Sequence, residues 1–236
     1  MILTLLKGIL AIALAVPFSL LALISIPLDG TGRLYHWSAW AWSKTILWLF
    51  RITVRVDGLE HIKNRKTVIY VANHASWFDI PAMVVGVPDQ IRIVFKKELT
   101  WVPIWGWALK YGPYVAIDRG KPKDALKSLD KAAEQIHRGA SVLLFAEGTR
   151  TRDGKLQPFK RGAFALAVRS GVPVVPVTIN NSYRILPKGS LNVRPAEIQL
   201  VLDRPIEMTG KPGKDSEKEL MEVVHEAITQ HFIEVV

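Results

Sequence analysis

The stretch Val68-Ile69-Tyr70-Val71-Ala72-Asn73-His74-Ala75-Ser76-Trp77-Phe78-Asp79 constrains the fold more than any other part of the chain. An apolar run rich in β-branched residues ends in a polar turn carrying His74 and Asp79. A run of this length and type reads as a buried strand. Ser76 with Asp79 three residues on resembles a capping box, Asp standing in for the usual Glu or Gln, so a helix is expected to start near Ser76. His74 then falls on the strand-to-helix turn, at the mouth of a sheet, where open α/β folds bind ligands. Their spacing suits one face of a regular helix poorly. With His74 outside the helix and Asp79 in its first turn, the two can still meet. The carboxylate would then fix the imidazole tautomer and raise the basicity of the other ring nitrogen. A structural histidine beside a capping aspartate is the competing reading, and the rest of the chain bears on the choice.

Further strands are expected at residues 52–56, 91–95, 114–117, 141–145, 172–179 and 196–202. Between them, residues 123–138 carry a helical stripe closed by Gly139, and 161–170 read as a helix stopped by Gly171. Residues 102–112 read as a short helix or an irregular lid, and 151–158 as a polar loop. The last helix is placed at 215–235, opened by Ser216 and Glu219 as a capping box. Strands alternating with helices argue for an α/β fold with a single mixed, largely parallel sheet covered on both faces.

Ahead of this body lie two apolar segments. Residues 8–28 are almost wholly apolar and long enough to span a bilayer, but Pro17 and Pro27 also suit a kinked or re-entrant segment. Residues 34–50 carry Trp37, Trp40, Trp42 and Trp48, and tryptophan favours the membrane interface. A cleaved signal peptide and the core helix of a soluble protein are competing readings of the first segment. The favoured organisation is a membrane-associated helical hairpin over 1–50, with both ends on the cytoplasmic side, and a catalytic domain over 51–236. Removing 1–50 is then expected to release much of the protein from membranes.

The chain has a formal net charge of +10 and no cysteine. The charge points to an anionic partner: nucleic acid, a membrane surface or a phosphorylated substrate. No nucleic-acid-binding motif or basic helix is present, which argues against the first. Without cysteine there is no thiolate nucleophile and no cysteine-based metal site. There is also no G-x-S-x-G elbow, phosphate-binding P-loop, dinucleotide fingerprint or H-E-x-x-H. These absences favour direct attack by a substrate hydroxyl, with His74 removing its proton, over a covalent acyl-enzyme. Strand ends deliver His74 and Asp79, Arg119, and Glu147 with Arg150, while Lys96, Lys160 and Arg161 lie just beyond strands or before a helix. If these ends converge on one edge, a general base sits beside a phosphate subsite.

Four blocks resemble those of the glycerolipid acyltransferases. Residues 73–79 resemble the NHx4D block. Gly112-Pro113-Tyr114-Val115-Ala116-Ile117-Asp118-Arg119 resembles a second block, whose arginine is assigned to phosphate. Phe145-Ala146-Glu147-Gly148-Thr149-Arg150 resembles a third, with Ala146 where proline is usual. Val172-Pro173-Val174-Val175-Pro176-Val177 resembles a fourth. Order and separations also match, over about residues 58–179.

The resemblance implies a fold like that of the glycerol-3-phosphate acyltransferases and membership of the 1-acyl-sn-glycerol-3-phosphate acyltransferase branch. It implies transfer of a fatty acyl group from acyl-CoA or acyl carrier protein to lysophosphatidic acid, giving phosphatidic acid, at the cytoplasmic face of a bacterial inner membrane. No metal or cofactor is expected beyond the thioester co-substrate. It implies His74 and Asp79 as the catalytic pair, and Arg119, Glu147, Gly148, Thr149 and Arg150 as the phosphate and glycerol site. Lys96 and Lys160 are expected to support the oxyanion or the phosphate. Trp101, Trp105 and Trp107 are candidates to line an acyl tunnel. Two alternatives stand beside it: another lyso-lipid acceptor, such as lyso-ornithine lipid, and a non-catalytic anionic-lipid-binding protein.

Overall fold

In the computed structural model, residues 2–63, 65, 67–117, 132–134, 136, 139–208 and 213–234 are described. Among these residues one sheet has seven strands: β1 (Thr53–Asp57), β2 (Ile69–Ala72), β3 (Arg92–Lys96), β4 (Val115–Ile117), β5 (Val142–Phe145), β6 (Val174–Asn180) and β7 (Glu197–Leu202). Their order is β1-β7-β6-β2-β5-β3-β4. Only β6 and β7 run antiparallel; every other neighbouring pair is parallel. β2 sits between β5 and β6, with Ala72 level with Phe145 on one side and Val177 on the other. The residues that follow these strand ends therefore emerge side by side.

The helices are α1 (Ile2–Leu28), α2 (Arg33–Leu49), α3 (Asp79–Gly86), α4 (Trp105–Tyr111), α5 (Arg161–Ser170), α6 (Ser182–Ile185) and α7 (Lys214–His231). Successive β2 side chains point to opposite faces. Tyr70 and Ala72 join a core that includes Leu47, Phe50, Phe78 and Met83. Ile69 and Val71 join the other, with Phe164 and Leu166 of α5 and Val224 and Ile228 of α7. Covered on both faces, β2 and β6 have no exposed residue, hence their unbroken apolar composition.

The N-terminal hairpin is built differently. The buried residues of α1 are the small ones, Ser19, Ala22 and Ser25, while many of its large side chains, among them Leu3, Ile9, Ile12 and Ile24, face outward. Small residues let α2 approach closely, and Ser38 Oγ donates to the Phe18 carbonyl at 2.6 Å. The hairpin is tied to the sheet by Tyr35 Oη donating to the Ala108 carbonyl (3.0 Å) and by Arg92 Nη2 donating to the Thr31 carbonyl (3.1 Å). Leu47 and Phe50 lie in the sheet's own core. A chain lacking residues 1–50 would therefore lose core side chains along with the hairpin.

Three local expectations also change. The helix after β2 starts at Asp79, three residues past Ser76, whose Oγ donates to the Leu186 carbonyl (3.2 Å) and whose amide donates to Asp79 Oδ2 (2.9 Å). The last helix begins at Lys214 after Gly213 and ends at His231; no side-chain cap opens it. The helix expected over 123–138 falls largely outside the described residues, although 132–134 and 136 are helical.

Candidate active site

The turn after β2 is held by its own side chains. Asn73 extends the ladder past the last strand residue: its Nδ2 donates to the Ile179 carbonyl (2.9 Å), and its Oδ1 accepts from the Ile179 amide (2.7 Å). With the strand pinned at Asn73, His74 is the first residue to leave the sheet. Its ring stacks on Phe145, centroids 3.9 Å apart and planes 15° from parallel. Nδ1 lies 2.7 Å from Asp79 Oδ2. That same oxygen accepts from the Ala75 and Ser76 amides at 2.7 and 2.9 Å. Asp79 is fully buried, in the first turn of α3, where the helix dipole favours a carboxylate. An ionised carboxylate in this dry place fixes the Nδ1–H tautomer, which leaves Nε2 with its lone pair free to take a proton. The imidazole keeps 16% of its side chain exposed, an opening for an incoming hydroxyl.

The turn after β5 wraps the same histidine. Glu147 Oε1 accepts from the His74 amide (2.7 Å), and the Thr151 amide donates to the His74 carbonyl (2.9 Å). Glu147 Oε2 accepts from the Gln157 amide (3.1 Å). Gln157 is delivered by the polar loop, which folds around Asp153 Oδ1 as acceptor for Thr151 Oγ1, the Lys155 amide and Gln157 Nε2. Where the sequence offered Glu147 as orienting an arginine or bonding glycerol, the side chain is buried here and each oxygen accepts from a backbone amide, so it holds the His74 turn from behind. Burial pushes its carboxyl up to about 7, against the pull of the two amides, with the charges of Asp79 and Asp153 adding to the rise.

Gly148 adopts a left-handed conformation (φ 66°), and a Cβ there would come within 2.9 Å of Lys160 Cδ. The bare glycine lets the Lys160 side chain lie across the turn. Arg150 stacks its guanidinium on the Trp77 ring, 4.4 Å from the centroid, and partial burial lowers its pKa. Lys188 was not singled out from the sequence. Its Nζ donates to Thr149 Oγ1 (3.0 Å) and to the Arg150 carbonyl (3.1 Å), leaving a third N–H for a ligand. A lysine in a loop without a motif carries no signal in a single sequence. Gly148, Thr149, Arg150 and Lys160 are therefore brought to the turn around His74.

Lys96 is not brought there. It ends β3, two strands from β2 or ~10 Å at ordinary strand spacing. Its exposed ammonium lies 3.4 Å from Glu98 Oε1. Arg119 lies outside the described residues.

On the other side of Trp77 opens an apolar chamber of about 160 Å³. α1, α2, α3, β3 and α4 wall it, with Phe18, Trp42, Ile80, Phe95 and Trp105 among the lining side chains. Of the three tryptophans named as tunnel candidates, Trp105 lines this chamber, whereas Trp101 and Trp107 are exposed. Trp77 thus touches both regions: the Arg150 guanidinium lies over its ring, and the ring is among the residues that line the chamber.

Comparison with known proteins agrees with this geometry. Residues 53–180 match the model of the Acyltransferase family. The chain is 35% identical over 182 residues to a 1-acyl-sn-glycerol-3-phosphate acyltransferase of Pseudomonas aeruginosa, covering 75% of this chain and 70% of that protein. It is 33% identical over 176 residues, 74% of this chain, to the chloroplastic enzyme BAT2 of Brassica napus, of the same description. The chain spans about half the length of the plant relatives it matches, 51% in that case. The crystal structure of PlsC, the 1-acyl-sn-glycerophosphate acyltransferase of Thermotoga maritima, superposes with a TM-score of 0.80 at 28% identity, covering 97% of this chain and 94% of that one.

Proposed function

Since this chain belongs to the acyltransferase family, we propose that it transfers a fatty acyl group from an acyl thioester to the sn-2 hydroxyl of 1-acyl-sn-glycerol-3-phosphate, giving phosphatidic acid. The observation that carries this reading is the 2.7 Å His74–Asp79 bond; three residues on from His74, Trp77 meets Arg150 and lines the apolar chamber. The relatives named for this reaction support the choice of acceptor.

In this reading His74 Nε2 accepts the proton of the sn-2 hydroxyl as its oxygen attacks the thioester carbonyl. The tetrahedral intermediate collapses, the C–S bond breaks, and the imidazolium returns the proton to the departing thiolate. One ester and one thiol form; no acyl-enzyme is needed. Asp79 stabilises the imidazolium across the 2.7 Å bond. Arg150, Lys160 and Lys188 hold the phosphate, and Arg119 of the second block is assigned there by the family resemblance. The chamber takes acyl carbons. Acyl-CoA and acyl carrier protein both suit as donor. The α1–α2 hairpin holds the protein on a membrane, with the catalytic body on the cytoplasmic side.

The test is thiol release from acyl-CoA and from acyl carrier protein across a panel of lyso-lipids. Lysophosphatidic acid should give the fastest release. His74→Ala should lower turnover about 10²–10⁴-fold, the usual worth of a general base, without loss of folded protein. Equal turnover in that variant, or a faster reaction with lyso-ornithine lipid, would displace this reading.

A further inference from the structure

The 3₁₀ turn Lys97–Trp101 and α4 form a corner with two apolar faces. Leu99 and Trp105 point inward and wall the chamber. Trp101, Val102, Trp107 and Tyr111 point outward, and Trp101 is 76% exposed, Trp107 48%. Isolated exposed apolar residues are ordinary, but four within eleven positions form a patch, and patches mark interaction sites.

The corner is built to hold this shape. Ile104, a β-branched residue, sits at φ 63°, where such residues are strained. Such strain persists only where the surroundings enforce it. A Cβ at Gly106 would come 2.4 Å from the Leu99 carbonyl oxygen, so turn and helix are in direct backbone contact. The outward tryptophans are therefore displayed by a rigid support.

Three features identify what covers them. α4 packs against α1, many of whose own large side chains face outward, so the two exposed apolar sets lie on neighbouring helices. The patch combines tryptophan and tyrosine with lysine: Lys110 Nζ lies 5.2 Å over the Tyr111 ring, the pairing of amphipathic ring and cation that suits a head-group region. The chain carries +10, which complements an anionic leaflet. A soluble partner protein would account for the patch but not for its place beside an apolar helix of membrane-spanning length.

We propose that this corner is a second membrane-contact element. It inserts Trp101, Val102, Trp107 and Tyr111 at the head-group boundary of an anionic bilayer, beside the leaflet-facing side of α1. The proposal rests on the reading that the acceptor is a membrane lipid, and the experiment separates the two.

Because the chain has no cysteine, a single label reports position cleanly. Full-length Trp101→Cys and Trp107→Cys are labelled with a polarity-sensitive fluorophore, with Glu222→Cys on α7, on the opposite face of the sheet, as control. Vesicles of phosphatidylglycerol and phosphatidylethanolamine should shift both corner probes to the blue, raise their intensity and leave the control unchanged. The double variant Trp101→Ser/Trp107→Ser should lose about tenfold in rate on vesicle-borne lysophosphatidic acid, since interfacial affinity scales with buried apolar area. On a monomeric, short-chain lysophosphatidic acid it should match the parent. Vesicle flotation of the protein with corner probes that behave like the control would overturn the proposal alone. Failure to float at all would remove the membrane reading and the proposal with it. A response to acidic carrier protein without lipid would assign the corner to that partner instead.

Discussion

Two apolar segments of this chain are treated in opposite ways. In β2, the large side chains Ile69, Tyr70 and Val71 are buried completely, and the strand touches protein on every side. In α1, Ser19, Ala22 and Ser25 are buried, while Leu3, Leu6, Ile9, Ile12, Leu20 and Ile24 face out. The first pattern is that of a water-soluble core. The second fits the proposed membrane setting: where surroundings are as apolar as the side chains, close fit between small residues decides which face turns inward. Apolar content alone does not say which treatment a segment receives; the partner surface does.

The sharpest way to break this contrast is to truncate one isoleucine on each side of it. Ile69→Ala should cost about 2–5 kcal/mol by opening a cavity in a core that cannot collapse. Ile12→Ala, at a residue 74% exposed, should change unfolding stability by no more than about 0.5 kcal/mol. Comparable losses in denaturant titrations of the two variants would mean that α1 is an ordinary core helix.

The turn that β2 supports should show its dryness in a pH titration. Glu147 titrates near 4.5 when unfolded and near 7 in the folded chain. Between these values the folded state holds the extra proton. This group's stabilising contribution is therefore full below pH 4.5, shrinks as pH rises and is gone above about 7, an effect on the order of 3 kcal/mol. Glu147→Gln should flatten that slope in melting experiments. It should also lower stability at all pH values by about 1–3 kcal/mol, because an amide offers only one acceptor to the two backbone N–H groups it must satisfy. An unchanged slope would mean that Glu147 is more hydrated than its burial indicates.

The smallest effect expected is at Lys188, on the polar side of the site. Lys188→Gln should raise KM for lysophosphatidic acid about two- to tenfold, the worth of one partly exposed charged hydrogen bond, with KM for the thioester unchanged. Lys188→Arg should restore much of the loss. A matching rise in both KM values would make the residue a brace for the turn rather than a phosphate contact.

Much of the site was legible before any coordinates. A β-branched run ending at His74, with Asp79 five residues on, specifies a strand, a turn and a meeting of the two side chains, and the structure has them 2.7 Å apart. What stayed hidden was where side chains with several options would bond. Ser76 donates across the chain to the Leu186 carbonyl while accepting from the Phe78 amide, and the helix begins three residues later. A carboxylate near an arginine in sequence does not reveal that two backbone amides will donate to Glu147. Lys188 had no local pattern and became visible only when α6 and its following loop came to lie against the turn after β5.

By itself the sequence determined the alternation of strand and helix, the pairing of His74 with Asp79 and the excess of positive charge. These follow from local chemistry: periodicity, short-range spacing and composition. The tertiary structure alone decided which apolar residues face protein and which face outward, that Glu147 serves the backbone, and that Lys96 stays at the rim. Each of these depends on contacts between residues distant in sequence. Burial, unlike hydrophobicity, is a property of a pair of surfaces and not of a segment.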